Sequence, residues 1–534
     1  MKTDQKEKIL KILKTGFGPY VSRFSLWYLI ILIFCLSFYY NYQDILFLRP
    51  QGIHQWRQCY GLSFTMNYYQ DNNPLLQPAL HFLGRDATGK TAGEFPILYY
   101  LTAKLWKLFG YHEYIFRLVN LFIFIIGLIA LMKIFEDVLQ DTFFAITLAL
   151  LLFAAPVLVY YANNFIPNTP SLGLVLVAWY FFWLFYKKEK NLFLWLSMLA
   201  FALAGLIKVT AILSLIALSA IFFLEITGIS KFRKGEKLFK HPLVQCIPFI
   251  LAFSAIFSWY LYANIYNRHY NADLLAVGIL PIWDLKPDEI HDHLRGIRDQ
   301  FKWSYYHQSM YWILAFTFTF IIIRLKKANN FMLFLTLFVL TGIIFYVIFF
   351  FKMLFQHDYY VTDLYIFVPI LFLTSFYILK NHNPTWFRSI ILRLGLVILI
   401  LINIGFTRDR INERYSIWMN DNYLNHIHRF ENISPYLRSI GIGPDDKVLC
   451  LPDPSPIITL YFMNQKGWTD YSTNLDSTRI SWKINSGADY LFIYIDSLYS
   501  HPDIKPFLKD KIGEINDIGI YDISSFRTNK QYEN

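Results

Sequence analysis

The sequence predicts an α-helical polytopic membrane protein of about eleven spans, with a large first outer loop and a C-terminal extracytoplasmic α/β domain. Three observations predict it. Of the 534 residues, 55% are hydrophobic and only 16% charged, whereas a soluble domain carries about a quarter charged residues. Apolar runs of spanning length recur from residue 25 to residue 406. The basic residues lie in short clusters between those runs, so the net charge of +11 reads as membrane topology and not as a nucleic-acid surface.

Residues 1–24 are basic and amphipathic and are expected to be cytoplasmic. No small-residue cleavage site follows the first apolar run, which therefore reads as a retained span. Spans are expected at 25–42, 114–134, 142–161, 169–186, 192–207, 209–226, 243–263, 308–325, 331–352, 363–380 and 389–406. With the amino terminus inside, one inner loop holds Lys187, Lys188 and Lys190, and the next holds Lys231, Arg233, Lys234, Lys237 and Lys240. Arg324, Lys326 and Lys327, then Lys380 and Arg388, complete the inner set, as the positive-inside rule requires. The transmembrane domain is then 25–406, and 407–534 lies outside, in a protein of the cell's inner or plasma membrane.

The first outer loop, 43–113, is too long and too rich in chemistry for a connector. It carries His54, Gln55, Trp56, Arg57 and Gln58 in one run, followed by Asp86, Lys90 and Glu94. Trp56, Phe64, Tyr68, Tyr69, Phe82 and Phe95 supply apolar anchors, so it is expected to fold as a membrane-facing active-site loop. Further along, Asn163, Asn164 and Asn168 precede an apolar run and read as helix-capping residues. Lys208 stands between two apolar runs, and intramembrane charge is costly enough to mark function or to snorkel to an interface. His357, Asp358 and Asp363 cluster with Tyr359 and Tyr360 at an outer boundary.

Beyond Thr407 the pattern changes. KVLCL (447–451) and ADYLFIYI (488–495) read as buried strands, ITLYFM opens a helix, and 512–523 forms a closing strand pair. PDPSP between the first strand and the helix reads as a turn. The cysteines, Cys35, Cys59, Cys246 and Cys450, show neither a disulfide framework nor metal-ligand spacing.

HQWRQ after the first span, GEFPILYYLTAKLWKLFG and the following IFRL together resemble the polytopic C-type glycosyltransferases. The nearest branch is the dolichyl- or polyprenyl-phosphate sugar transferases that include protein O-mannosyltransferases and aminoarabinose transferase. LIKVTA (206–211) and HDYY (357–360) resemble later motifs of that group, and the likeness spans roughly residues 20–410. The resemblance implies transfer of a sugar from a polyprenyl-phosphate carrier to a glycan, lipid or protein acceptor on the outer face. One departure matters: the family's first-loop acids fall on His54 and Gln55, and Cys59 and Tyr60 follow Arg57-Gln58.

Such chemistry needs a base for the acceptor hydroxyl and cations for the departing phosphate. Glu94 is the first choice of base, with His54 its rival and Asp86 a further acid. Arg57 suits the phosphate because its guanidinium grips two oxygens at once, and Arg117 and Lys208 are second choices. Gln58 and His357 complete the polar set, while Trp56, Tyr359 and Tyr360 are available to stack on sugar faces. No cofactor is expected, with a divalent metal the open alternative. A non-catalytic protein binding or moving lipid-linked sugars on the same scaffold is the competing reading.

Overall fold

In the computed structural model, residues 20–233, 236–272, 274–275, 278–471 and 475–528 are described. Most of the basic amino terminus (1–19) and Lys234 of the second inner cluster lie outside them. The chain forms two compact units, one of residues 1–47, 117–259 and 278–413, the other of 48–116, 260–277 and 414–534.

The first unit is helical. Among the described residues seven helices are long and apolar enough to cross a membrane, and Ser25–Tyr39, Asn191–Ile207 and Gln308–Ile323 are shorter apolar helices. The expected span at 142–161 is corrected: it is broken into Thr142–Leu150, a 3-10 turn and Pro156–Ala162. Pro156 stands at the first position of the second piece, where a missing N–H costs nothing, and Ala155 before it is extended. Leu243, Phe257, Phe316, Ile323, Ile391 and Leu401 point outward and are mostly exposed. In water such faces would aggregate; against lipid they are the expected exterior.

Inside, helix packing follows small residues. A Cβ on Gly127 would meet the Gly173 Cα at 2.6 Å, so Tyr114–Leu139 and Asn168–Lys188 touch backbone to backbone. Some buried charges are paired. Arg393 bonds Asp141 at 2.6 Å, and Glu136 accepts from Ser25, Thr142 and Lys133.

The second unit holds a five-stranded sheet in the order β2-β1-β3-β5-β4. The strands are β1 (Val448–Leu451), β2 (Gly467–Trp468), β3 (Tyr490–Ile493), β4 (Asp510–Ile515) and β5 (Ile518–Asp522). β1 runs parallel to β2 and β3, with Leu449 opposite Trp468 and Leu491; β5 is antiparallel to β3 and β4. Helices Ile458–Met463 and Ser477–Asn485 make the crossovers, which is the geometry parallel neighbours demand. The closing pair, expected over 512–523, stands at 510–522; β2, two residues long, leaves no readable period.

The polar segment after the first span folds onto this sheet. Phe82 bridges Gly467, Ala79 bridges Lys90, and Leu83 joins the core of Leu449, Leu451, Ile480, Ile484 and Leu491. A Cβ at Gly467 would fall 1.8 Å from the Val448 carbonyl oxygen, so only glycine lets the strands close there. The same segment contributes two packed helices, Gln55–Gln70 and Ile97–Phe109.

Candidate active site

In the second unit, chemistry gathers where those two helices meet. His54 takes a left-handed turn (φ 58°) at the start of Gln55–Gln70. Gln58 fixes that entry: its Nε2 donates to the carbonyls of Gln51 (2.7 Å) and Ile53 (3.0 Å). One turn of helix thus places Arg57 opposite Glu94, which precedes Pro96 and the helix Ile97–Phe109. Arg57 Nη2 and the Tyr99 hydroxyl both donate to Glu94 Oε1. The Arg57 and Glu94 side chains are 13% and 14% exposed, so the pair is largely screened from bulk water.

Burial first, and the Glu94 charge second, push the Tyr99 phenol well above its ordinary value, which keeps it a donor. Beneath the pair lies an aromatic bed. Arg57 sits 5.6 Å above the Tyr60 ring, Trp56 meets Tyr60 edge-on at 6.3 Å, and Phe64 stacks on Tyr99 at 5.4 Å. Trp56 is half-buried in this bed. The other acids of the segment have different work. Glu113 pairs with Arg49 at 3.0 Å and accepts from Tyr111 and Tyr461; Asp71 pairs with Lys466 at 2.7 Å. Asp86 accepts from the Thr88 amide (3.1 Å) and hydroxyl (2.7 Å), closing the 86–88 turn.

In the first unit a second cluster forms around the ends of three apolar helices. Lys208 caps the helix Asn191–Ile207, where its ammonium lies 4.3 Å from the Tyr360 ring centre and 5.7 Å from that of Tyr359. Among the described residues it has no ion-pair partner. His357 stacks on Tyr360 at 5.8 Å and lies 5.2 Å from Tyr359, so the HDYY run makes one aromatic group. Both nearby acids are buried. Asp358 accepts from the Tyr161 hydroxyl at 2.5 Å. Asp363 accepts from the Thr210 hydroxyl, and its Oδ1 has no partner among the described residues.

Arg117 is fully buried, donates to the Asn163 carbonyl at 2.5 Å and stacks on Phe165 at 4.1 Å. That is the setting of a residue that shapes the 163–166 turn. The three asparagines do not cap their helix, contrary to the local reading. Pro167 occupies the cap position with no side-chain bond. The Asn163 and Asn164 carbonyls accept from Arg117 and Asn120, and Asn168 Nδ2 donates to the Tyr359 carbonyl at 3.0 Å. Tertiary partners have displaced local ones.

Glu94, Arg57, Trp56 and Gln58 therefore share one cluster, with His54 at its helix start, and Lys208, His357, Tyr359 and Tyr360 share another. Tyr99, Tyr161 and Thr210 are the contributors that sequence reasoning passed over. Thr210 stands two residues after Lys208 within LIKVTA, and Tyr99 within PILYY, so both lie inside the motifs that carry the resemblance. Among the described residues no group of three or more His, Cys, Asp or Glu side chains is placed to hold a metal ion.

Residues 94–260 match the family model described as dolichyl-phosphate-mannose-protein mannosyltransferase. The whole chain is similar in fold to the crystal structure of ArnT from Cupriavidus metallidurans in the apo state. The TM-score is 0.56 at 10% identity, covering 94% of this chain and 99% of that one. The same protein bound to undecaprenyl phosphate gives a TM-score of 0.55 at 11% identity, over the same shares of the two chains. No curated protein sequence matches the chain.

Proposed function

We propose that this integral membrane protein is a glycosyltransferase that moves a sugar from a polyprenyl-phosphate-linked donor to an acceptor on the outer face of the membrane. The observation that carries the reading is Lys208: an ammonium at the end of an apolar helix, cradled by Tyr359 and Tyr360 and lacking an ion-pair partner among the described residues. A lone cation at that depth is costly unless an anion completes it. A lipid-linked phosphate has the matching charge and arrives from the matching solvent. The match of 94–260 to a lipid-phosphate mannosyltransferase model, and the ArnT-like fold, support the same chemistry.

In this reading Lys208 binds the donor phosphate and neutralises the charge that develops as the sugar leaves. Glu94 is the base. Arg57 and Tyr99 hold its carboxylate in one orientation, suited to taking the proton of an acceptor hydroxyl. Tyr359 and Tyr360 offer ring faces to a sugar beside Lys208. The amino terminus lies in the cytoplasm and the sheet-bearing carboxyl-terminal region outside, in the inner or plasma membrane.

The test is transfer in proteoliposomes from a polyprenyl-phosphate sugar to a mixed glycan acceptor, with donor binding measured separately. Turnover that falls in Glu94→Gln while donor binding persists supports the enzyme. Donor binding without turnover in the wild-type protein would make it a carrier of lipid-linked sugar instead. Impermeant labelling of cysteines placed at Ser434 and Lys326 reads the topology; labelling of both from one side overturns it.

A further inference from the structure

The second unit contains a cavity of about 720 Å³ that takes no part in the proposed transfer, since neither Arg57 nor Glu94 lines it. Its floor is the carboxyl end of β2, Trp468 and Thr469. One wall is the helix Ser477–Asn485, whose Arg479, Trp482 and Lys483 fall on one face by their three- and four-residue spacing. The opposite wall is the 82–91 segment, and Tyr270 closes the side. The volume is that of a site for a small organic ligand.

Its chemistry is unusual for a structural void. Arg85, Lys90, Arg479 and Lys483 line it with one lining carboxylate, Asp86, which the 86–88 turn engages; Arg479 also pairs with Asp476 at 3.6 Å, and Lys90 donates to the Tyr270 hydroxyl at 3.2 Å. Lys483 is 5% exposed, and its ammonium donates to the Thr469 carbonyl at 2.5 Å. An ammonium has three donors, and the described residues supply no second acceptor. Burial pushes its pKa down to about 8, with Asp470 pulling the other way, so the group is still cationic near neutrality. A buried cation with donors to spare favours an anion beside it.

The aromatic residues choose among anions. Phe82 and Tyr471 meet edge-on, at 87° and 6.3 Å, and Trp468 is 1% exposed. These rings present no parallel pair to sandwich a flat base. A pyranose needs one open ring face for its C–H side, and Trp482, 43% exposed on the cavity wall, offers that.

We propose that this cavity is a binding site for an anionic saccharide, a sugar bearing a phosphate or a carboxylate, with Trp482 against the ring and Lys483, Arg479 and Lys90 around the charge. The site is separate from the transfer site and does not depend on the transfer reading. On a glycan-modifying protein it would hold an acidic saccharide apart from the reacting groups.

The experiment is titration of the full-length protein in nanodiscs, followed by calorimetry and tryptophan fluorescence. Glucose 6-phosphate and glucuronate are the anionic probes; glucose and inorganic phosphate are the controls. Each charge-assisted contact is worth about tenfold in affinity, so at least one anionic sugar should bind about tenfold or more tighter than either control. Binding of one anionic sugar alone tells a phosphate site from a carboxylate site. Trp482→Ala and Arg479→Gln, both at exposed positions, should each weaken binding by about three- to tenfold. Lys483→Met should erase the preference for the anionic sugar. Arg57→Ala should leave binding in the cavity intact, which separates failure of this site from failure of the transfer reading. Equal binding of glucose and glucose 6-phosphate would overturn the proposal. So would phosphate binding as tightly as the sugar phosphate, or wild-type affinity in both Trp482→Ala and Arg479→Gln.

Discussion

The Arg57 cluster and the Lys208 cluster solve opposite electrostatic problems. Arg57 has its counter-charge within the protein: Glu94 receives it together with the Tyr99 hydroxyl, over a bed of buried rings. Lys208 has rings where Arg57 has a carboxylate, and the acids of the adjoining 358–363 run, Asp358 and Asp363, accept from the hydroxyls of Tyr161 and Thr210. A compensated pair is suited to orienting a group; a cation left on aromatic faces is suited to receiving an anion. In the proposed reading the first suits the base and the second suits the phosphate.

Removing the basicity of Glu94 is the largest expected effect. Glu94→Gln keeps the hydrogen-bonding shape toward Arg57 and Tyr99, and single-turnover transfer should fall by about 10²–10⁴-fold with donor binding retained. A variant at full rate would break the assignment and move the base to Asp363, the buried acid with an oxygen that has no partner among the described residues. His54→Gln is the companion: only if histidine is the base does it become the severe variant.

Next comes the phosphate. Lys208→Met should weaken donor binding by about ten- to a hundredfold, the worth of one charge-assisted contact, with Lys208→Arg keeping part of it. Donor affinity unchanged in Lys208→Met would erase the contrast between the clusters. Arg57→Ala sharpens it from the other side. If Arg57 orients Glu94, the loss falls mainly on turnover, and the Arg57→Ala and Glu94→Ala effects are strongly non-additive.

A smaller effect is expected in stability. His81 is fully enclosed, bonded to Ser63 Oγ at 2.8 Å and Asn464 at 3.1 Å, and burial lowers its pKa to about 4. The unfolded imidazole takes its proton near 6.5, so stability is whole above that pH and is lost as pH falls toward 4, by about 3 kcal/mol at most. Asp453, whose pKa burial raises to about 6, works in the opposite direction. The unfolded carboxyl ionises first, so its contribution declines as pH rises from about 4 to 6. Thermal unfolding against pH should show the acid loss flattened in His81→Gln and steepened in Asp453→Asn. Asp86→Asn, which keeps most of the 86–88 turn, should change transfer least, within about twofold.

Much of the fold was legible because it rests on local properties. The length of an apolar run, from a span down to the short all-apolar VLCL and YLFI, is written within a few residues, and helices and strands stand there. The break at Pro156 was equally local and was overridden by counting apolar residues across it. The asparagines of 163–168 failed differently: Asn and Thr before an apolar run satisfy a capping pattern, yet Arg117, Asn120 and Tyr359 claim the turn from far along the chain.

By itself the sequence determined that this chain lives in a membrane, where its helices run, and which segments carry ionisable groups at their ends, because burial in lipid is decided by composition over one run of residues. Tertiary structure alone decided which groups meet. Arg57 and Glu94 are 37 residues apart, Thr210 and Asp363 153, Tyr161 and Asp358 197. A hydrogen bond is made within a few ångströms, and no local period encodes a partner at such separations; only the packing of the helices that carry them brings the atoms into reach.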